Sequence, residues 1–79
     1  MTTVTLFTRN GCHLCQTAKE IILELQSQFH FDYEECDIDE RDEWTEQYGL
    51  MIPVVLLDGE EVQYGQIDKN ALYKAFSEK

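Results

Sequence analysis

Positive charge is scarce in this chain: six lysines and arginines stand against sixteen aspartates and glutamates, a formal charge of −10. Phosphate backbones are bound by basic faces, so the composition argues against nucleic acid, and anionic membrane surfaces are disfavoured for the same reason. Long apolar runs are missing as well. The longest, Leu50 to Leu57, is interrupted by Pro53, whereas crossing a bilayer takes roughly 18 or more such residues. The opening Met1-Thr2-Thr3-Val4 lacks the order of a secretory signal, so a soluble, cytoplasmic protein is expected. Only three cysteines are present, while secreted disulfide scaffolds carry larger, even sets at wide spacing. No internal repeat, low-complexity tract or linker interrupts the 79 residues. A chain this short has room for one core, so a single domain over residues 1–79 is expected, burying about 60% of its unfolded surface.

What is present centres on Arg9-Asn10-Gly11-Cys12-His13-Leu14-Cys15. Val4-Thr5-Leu6-Phe7-Thr8 reads as a strand, and Asn10-Gly11 is a turn signal behind it. Asn-Gly can also mark a hairpin, but Leu14, Ala18, Ile21, Ile22, Leu25 and Phe29 then recur at intervals of three and four. That periodicity predicts a helix from about Cys12 or His13 to Gln28. A CxxC at a helix start places its first thiol before unpaired backbone N–H groups, which stabilise a thiolate. Its pKa is expected to fall from about 8.5 into the range of about 3.5–7.5. The second thiol lies one turn further on, where the two sulfurs can bond reversibly.

Phe31 to Ile38 alternates aromatic with acid and then changes parity at Cys36 and Ile38, a second strand with an irregular end. Strand, helix and strand in this span predict a parallel βαβ unit. Asp39 is the expected cap of a short helix carrying Trp44 and Tyr48, with Gly49 as its stop. Val54-Val55-Leu56-Leu57 reads as a central strand covered on both faces, and Asp58-Gly59 turns it into an antiparallel partner, Glu60 to Tyr64. Asp68 caps a last helix whose buried stripe is Ala71, Leu72, Ala75 and Phe76, with Lys74 and Lys79 toward its end. The order β-α-β-α-β-β-α predicts an α/β fold with a four-stranded mixed sheet and helices on both faces.

Taken together, the strand-turn-CxxC-helix of Val4 to Gln28, Met51-Ile52-Pro53-Val54-Val55 with its Asp-Gly turn, and Tyr64-Gly65-Gln66-Ile67-Asp68 resemble a small glutaredoxin-like member of the thioredoxin-fold superfamily. The likeness spans nearly the whole chain. It implies a thioredoxin-like fold and a thiol–disulfide oxidoreductase with Cys12 as nucleophile and Cys15 as resolving thiol. It further implies that Arg9 contacts the glycine carboxylate of glutathione, that Pro53 is a cis-proline opposite the dithiol, and that the main chain of Ile52 pairs with substrate. Asp68 matches the acid at a helix start where N–H groups receive a carboxylate. Gly65 stands alone where glutaredoxins carry two glycines, and His13-Leu14 replaces their usual Pro-Tyr. His13 reads as a tuner of the thiolate or an exposed spacer. The implied partners are disulfide-containing proteins and, as electron donor, glutathione or a thioredoxin-reductase-type enzyme. Glutathione is then a co-substrate, no cofactor is tightly bound, and the protein is a monomer.

Other readings compete. Cys12, Cys15, Cys36, His13 and His30 supply zinc-type ligands on paper, and glutaredoxin-like proteins can share an iron–sulfur cluster, so a metal or cluster carrier is the alternative. A redox-inactive binding module is a third. Cys36 reads as a small buried hydrophobe, Trp44 and Tyr48 as packing, and Tyr64 as a core aromatic or a wall beside the dithiol. The acids from Asp32 to Glu46 read as a solvated face, or as a means of steering toward a basic partner.

Overall fold

A computed structural model describes residues 2–78. Seven main elements follow in the order β1 (Thr2–Thr8), α1 (His13–Gln26), β2 (Phe31–Asp37), α2 (Asp42–Tyr48), β3 (Val54–Leu57), β4 (Glu60–Tyr64) and α3 (Lys69–Ser77), with one 3₁₀ turn at Ile38–Glu40. The sheet order is β2-β1-β3-β4. β1 runs parallel to β2 and antiparallel to β3, and β3 is antiparallel to β4. This is the expected α/β mixed sheet.

Successive residues of a strand point to opposite faces, and both faces are covered. Val4, Leu6, Val55 and Leu57 meet Ala18, Ile22 and Leu25 of α1 and Leu72 and Phe76 of α3. On the other face Phe7, Val54 and Ile38 pack with Trp44 and Tyr48 of α2. Burying an aliphatic side chain contributes about 1.5–3 kcal/mol, so Leu6, Ile22, Leu57 and Leu72, all at 0–1% exposure, anchor the larger core. The parity change in β2 has the same origin. Its pairing with β1 runs unbroken from Thr2↔Phe31 to Thr8↔Asp37, so the expected irregular end is not there. Phe31 and Tyr33 face one core and Cys36 the other.

Three expectations about the helices are corrected. The buried stripe of α1 is Cys15, Ala18, Ile22 and Leu25, and Leu14 is 48% exposed. Choosing Leu14 rather than Cys15 as the first member of the stripe misplaced it by one position. Asp39 caps no helix: Asp37 caps the 3₁₀ turn through its bond from the Asp39 N–H, and α2 begins after Arg41 with no side-chain cap. In α3, Leu72 and Phe76 are buried and Ala75 partly so, but Ala71 is exposed. Lys79 lies outside the described residues.

Candidate active site

The turn between β1 and α1 is built by its backbone. Gly11 has φ +79° and its missing Cβ would meet nothing; it is glycine because of its conformation, which other residues adopt at a cost. The Cys12 N–H donates to the Arg9 carbonyl at 3.2 Å. Cys12 itself is the N-cap of α1, with extended φ −85° and ψ 108°. Its Sγ accepts the Cys15 N–H at 3.1 Å. The two cysteines are disulfide-bonded, with Cα atoms 5.2 Å apart, inside the usual range of about 4.4–6.8 Å. They are unequally placed: Cys12 is partly exposed, and Cys15 is 2% exposed beneath it. One sulfur can be reached from outside and the other is shielded.

Strand register brings the other candidates to this end of the sheet. Phe7 pairs with Val54, so Pro53 stands level with Thr8, the last residue of β1. Val54 pairs with Tyr64, so Gly65 stands level with Pro53. The Ile52–Pro53 bond is cis, as the resemblance implied. Gly65, with φ +76°, donates its N–H to the carbonyls of Met51 at 2.9 Å and Pro53 at 2.8 Å. The Ile52 N–H already donates to the Tyr48 carbonyl at 3.1 Å, so that donor is committed within the chain. Asp68 caps α3, accepting the Asn70 N–H at 2.9 Å. Its own N–H donates to Gln63 Oε1 at 2.8 Å.

An open groove of about 360 Å³ runs beside the disulfide. The turn from Thr8 to Cys12 forms one wall, the first turns of α1 with His13, Cys15, Gln16 and Lys19 another, and Glu35 of β2 the third. Of the candidate residues it gathers Arg9, Cys12, His13 and Cys15, whereas Leu14, Ile52, Pro53, Gly65 and Asp68 do not line it.

Both cations of the groove are paired. Arg9 holds Asp39 through Nε at 3.1 and 3.2 Å and Nη2 at 2.9 Å. This side-on hydrogen bonding, reinforced by charge, makes the guanidinium a still weaker acid and holds the Asp39 carboxyl below the usual carboxylate range. Lys19 Nζ lies 3.2 Å from Glu35 Oε1, which also accepts the Tyr33 hydroxyl at 2.8 Å. The Tyr33 bond, with help from Lys19, pulls the Glu35 carboxyl down. Burial first, and then Glu35, push the Tyr33 phenol up. Lys19, Glu35 and Asp39 were not anticipated. Lys19 carries a signal, since it sits one helical turn beyond Cys15, but nothing in the sequence links Arg9 to an acid thirty residues away.

Cys36 is a free, partly buried thiol packed against the second core. Burial and nearby Glu34 and Glu40 push its pKa up. His30 lines a separate hollow with Thr2 and Phe31, at the opposite end of β1 from the dithiol. Among the described residues no three His, Cys, Asp or Glu side chains form a group that could hold a metal ion. No described helix is long and apolar enough to cross a membrane.

Comparison with known proteins decides the family. The Glutaredoxin-like domain family (DUF836) matches residues 3–77. The chain belongs to this glutaredoxin-like family. It is 36% identical over 74 residues to an uncharacterized protein of Mycobacterium tuberculosis, covering 87% of this chain and 76% of that one. It is also 36% identical over 76 residues to a glutaredoxin-like protein of Dictyostelium discoideum, covering 89% of this chain and 70% of that one. Among solved structures, a structural-genomics target protein from X. campestris superimposes with TM-score 0.81 at 26% identity, covering 96% and 97% of the two chains. A thioredoxin mutant from Halobacterium salinarum does so with TM-score 0.75 at 26% identity, covering 98% and 73%. The glutaredoxin-like protein thus has a thioredoxin fold, and its CxxC pair supports a thiol redox role.

Proposed function

We propose that this glutaredoxin-like protein is a dithiol thiol–disulfide oxidoreductase acting on protein disulfides or glutathione mixed disulfides. The carrying observation is the asymmetric pair: Cys12 partly exposed at the helix start and Cys15 buried beneath it. The N–H directed at the Cys12 sulfur favours a thiolate there. In the reduced protein that thiolate attacks one sulfur of the substrate disulfide. A Cys12–substrate S–S bond forms, the substrate bond breaks, and the departing thiolate takes a proton from water. Cys15 then loses its proton and attacks Cys12. The second substrate thiol leaves, and two electrons have passed from the protein dithiol to the substrate.

In this reading His13 and Leu14, exposed beside Cys12, meet the incoming chain. Pro53 and the Ile52 carbonyl face it from the neighbouring loop, with Gly65 and Asp68 bounding that side and Arg9 the other. The oxidised protein is recharged by glutathione or by a thioredoxin-reductase-type donor in a cytoplasmic setting. The test is turnover of a glutathione mixed disulfide with glutathione and its reductase, run beside insulin reduction with thioredoxin reductase. Wild type is expected to work in at least one system, Cys12→Ser in neither, and Cys15→Ser to accumulate a mixed disulfide with protein substrate. Activity indifferent to Cys12, or absent from both systems, would overturn the proposal.

A further inference from the structure

The groove beside the dithiol is lined by two cations, Arg9 and Lys19, and each is already held by a carboxylate from the chain's acidic stretch. Asp39 takes both Nε and Nη2 of Arg9, and Glu35 takes Lys19. Asp39 is positioned for this: its N–H is bound to Asp37 Oδ1 at 2.9 Å inside the 3₁₀ turn, so the carboxylate does not have to be ordered from a free loop. A ligand carboxylate reaching for Arg9 competes with a tethered rival present at high effective concentration. Winning the contact leaves Asp39 unpaired beside it. Resting on the redox reading above, we infer that this groove discriminates against anionic thiols such as glutathione and takes disulfides carried on neutral or basic polypeptide, with Asp39 as the specificity-determining residue. The acids that lower the overall charge therefore act locally, by occupying the cations an acidic tripeptide would use.

Charge complementarity of this kind acts on encounter and on discrimination between partners more than on the exchange chemistry itself. Reduction still proceeds through Cys12 and Cys15, with the same bonds made and broken, so the preference appears in the relative rates of differently charged substrates.

The test uses the full chain, reduced with dithiothreitol and desalted, in single turnover against four disulfides that share one chromophoric aryl thiol as leaving group. The other half is glutathione, or one of three cysteine peptides of equal length with lysine, alanine or glutamate flanks. Aryl thiol release gives the rate. For wild type at low salt the expected order is lysine, then alanine, then glutamate, with glutathione slower than the alanine peptide by about fivefold or more, a gap that shrinks with added salt. In Asp39→Asn, where Arg9 is freed, the ratios of alanine to glutamate peptide and of alanine peptide to glutathione are expected to narrow by about two- to fivefold, the size of one exposed ion pair. Wild type reducing the glutathione and glutamate disulfides as fast as the alanine one would overturn the inference, and unchanged ratios in Asp39→Asn would remove Asp39 as the determinant. If release did not depend on Cys12 with any substrate, judged against Cys12→Ser, the redox reading would fall and this one with it.

Discussion

The ring of Phe7 stacks on the ring of Tyr48, with centroids 4.3 Å apart and planes inclined by 21°. The same Phe7 meets Trp44 edge-on at 5.2 Å. Two positions after Phe7 comes Arg9 and the turn into Cys12, while the Tyr48 carbonyl takes the N–H groups of Met51 at 2.8 Å and Ile52 at 3.1 Å. One aromatic contact therefore joins the strand that presents the dithiol to the loop that carries Pro53.

Truncating that contact should weaken the whole fold. Phe7 is 6% exposed, so Phe7→Ala is expected to destabilise by about 3–5 kcal/mol through lost burial and a residual cavity. Phe7→Leu keeps much of the volume and loses chiefly the ring pairing, about 0.5–1.5 kcal/mol. Urea unfolding followed by Trp44 fluorescence measures both, and a Phe7→Leu variant as stable as wild type beside a destabilised Phe7→Ala would show that the stacking adds nothing beyond volume.

Acid should loosen the two ion pairs of the groove. Asp39 and Glu35 have folded pKa values below their unfolded ones, so each binds fewer protons when folded. Their contribution is fully present above the unfolded values, about 3.9 for Asp and 4.3 for Glu, and is lost as pH falls through the folded values. Tyr33 and Cys36 are shifted upward. Their contribution is complete below unfolded values of about 10 and 8.5 and is lost as pH rises through the folded ones. Tm against pH should be flat near neutrality and fall on both sides, with a shallower acid limb in Asp39→Asn and Glu35→Gln. Acid limbs identical to wild type would deny the pairs any part in stability.

The three thiols of the reduced protein should separate by reactivity. Alkylation at neutral pH is expected to modify Cys12 first, because it is partly exposed at the helix start and its Sγ receives the Cys15 N–H. Cys36, whose thiolate is disfavoured by burial and by Glu34, should react much more slowly, and Cys36→Ala should leave the early labelling of Cys12 unchanged. Peptide mass mapping over a time course reads the sequence of events; early labelling of Cys36 would contradict it.

Gly65 offers a test of backbone requirement alone. A Cβ there would meet no atom within 4 Å, yet φ is +76°. Gly65→Ala should thus cost about 1–2 kcal/mol from conformation, and Gly65→Asn less, since Asn tolerates that region. Denaturant midpoints for the two variants give the comparison, and an Asn variant less stable than the Ala one would point to crowding instead.

Local signals carried most of the architecture. The Asn10-Gly11 turn, the three-and-four spacing from Ala18 to Leu25, the Asp58-Gly59 turn and the Asp68 cap are all decided by neighbours in the chain, and each stands where periodicity and turn chemistry put it. The cis state of Pro53 came through family likeness, since an arbitrary X-Pro bond is cis only about 5–6% of the time. What the sequence concealed was non-local or a matter of one position. Leu14 and Cys15 both fit an apolar stripe, and packing against the sheet chose Cys15. Asp37 and Asp39 are equally good caps by type, and the 3₁₀ turn used Asp37, which released Asp39 to reach Arg9. That pairing joins residues thirty apart, beyond the range of any spacing rule.

In the order β2-β1-β3-β4 the two outermost strands are also the acidic ones. β2 carries Asp32, Glu34 and Glu35, and β4 carries Glu60 and Glu61. An outermost strand is a template on which a second chain can pair and a fibril can start. A neighbour docking on either margin of this sheet would set like charges against one another. These carboxylates therefore disfavour edge-to-edge pairing between copies of the chain.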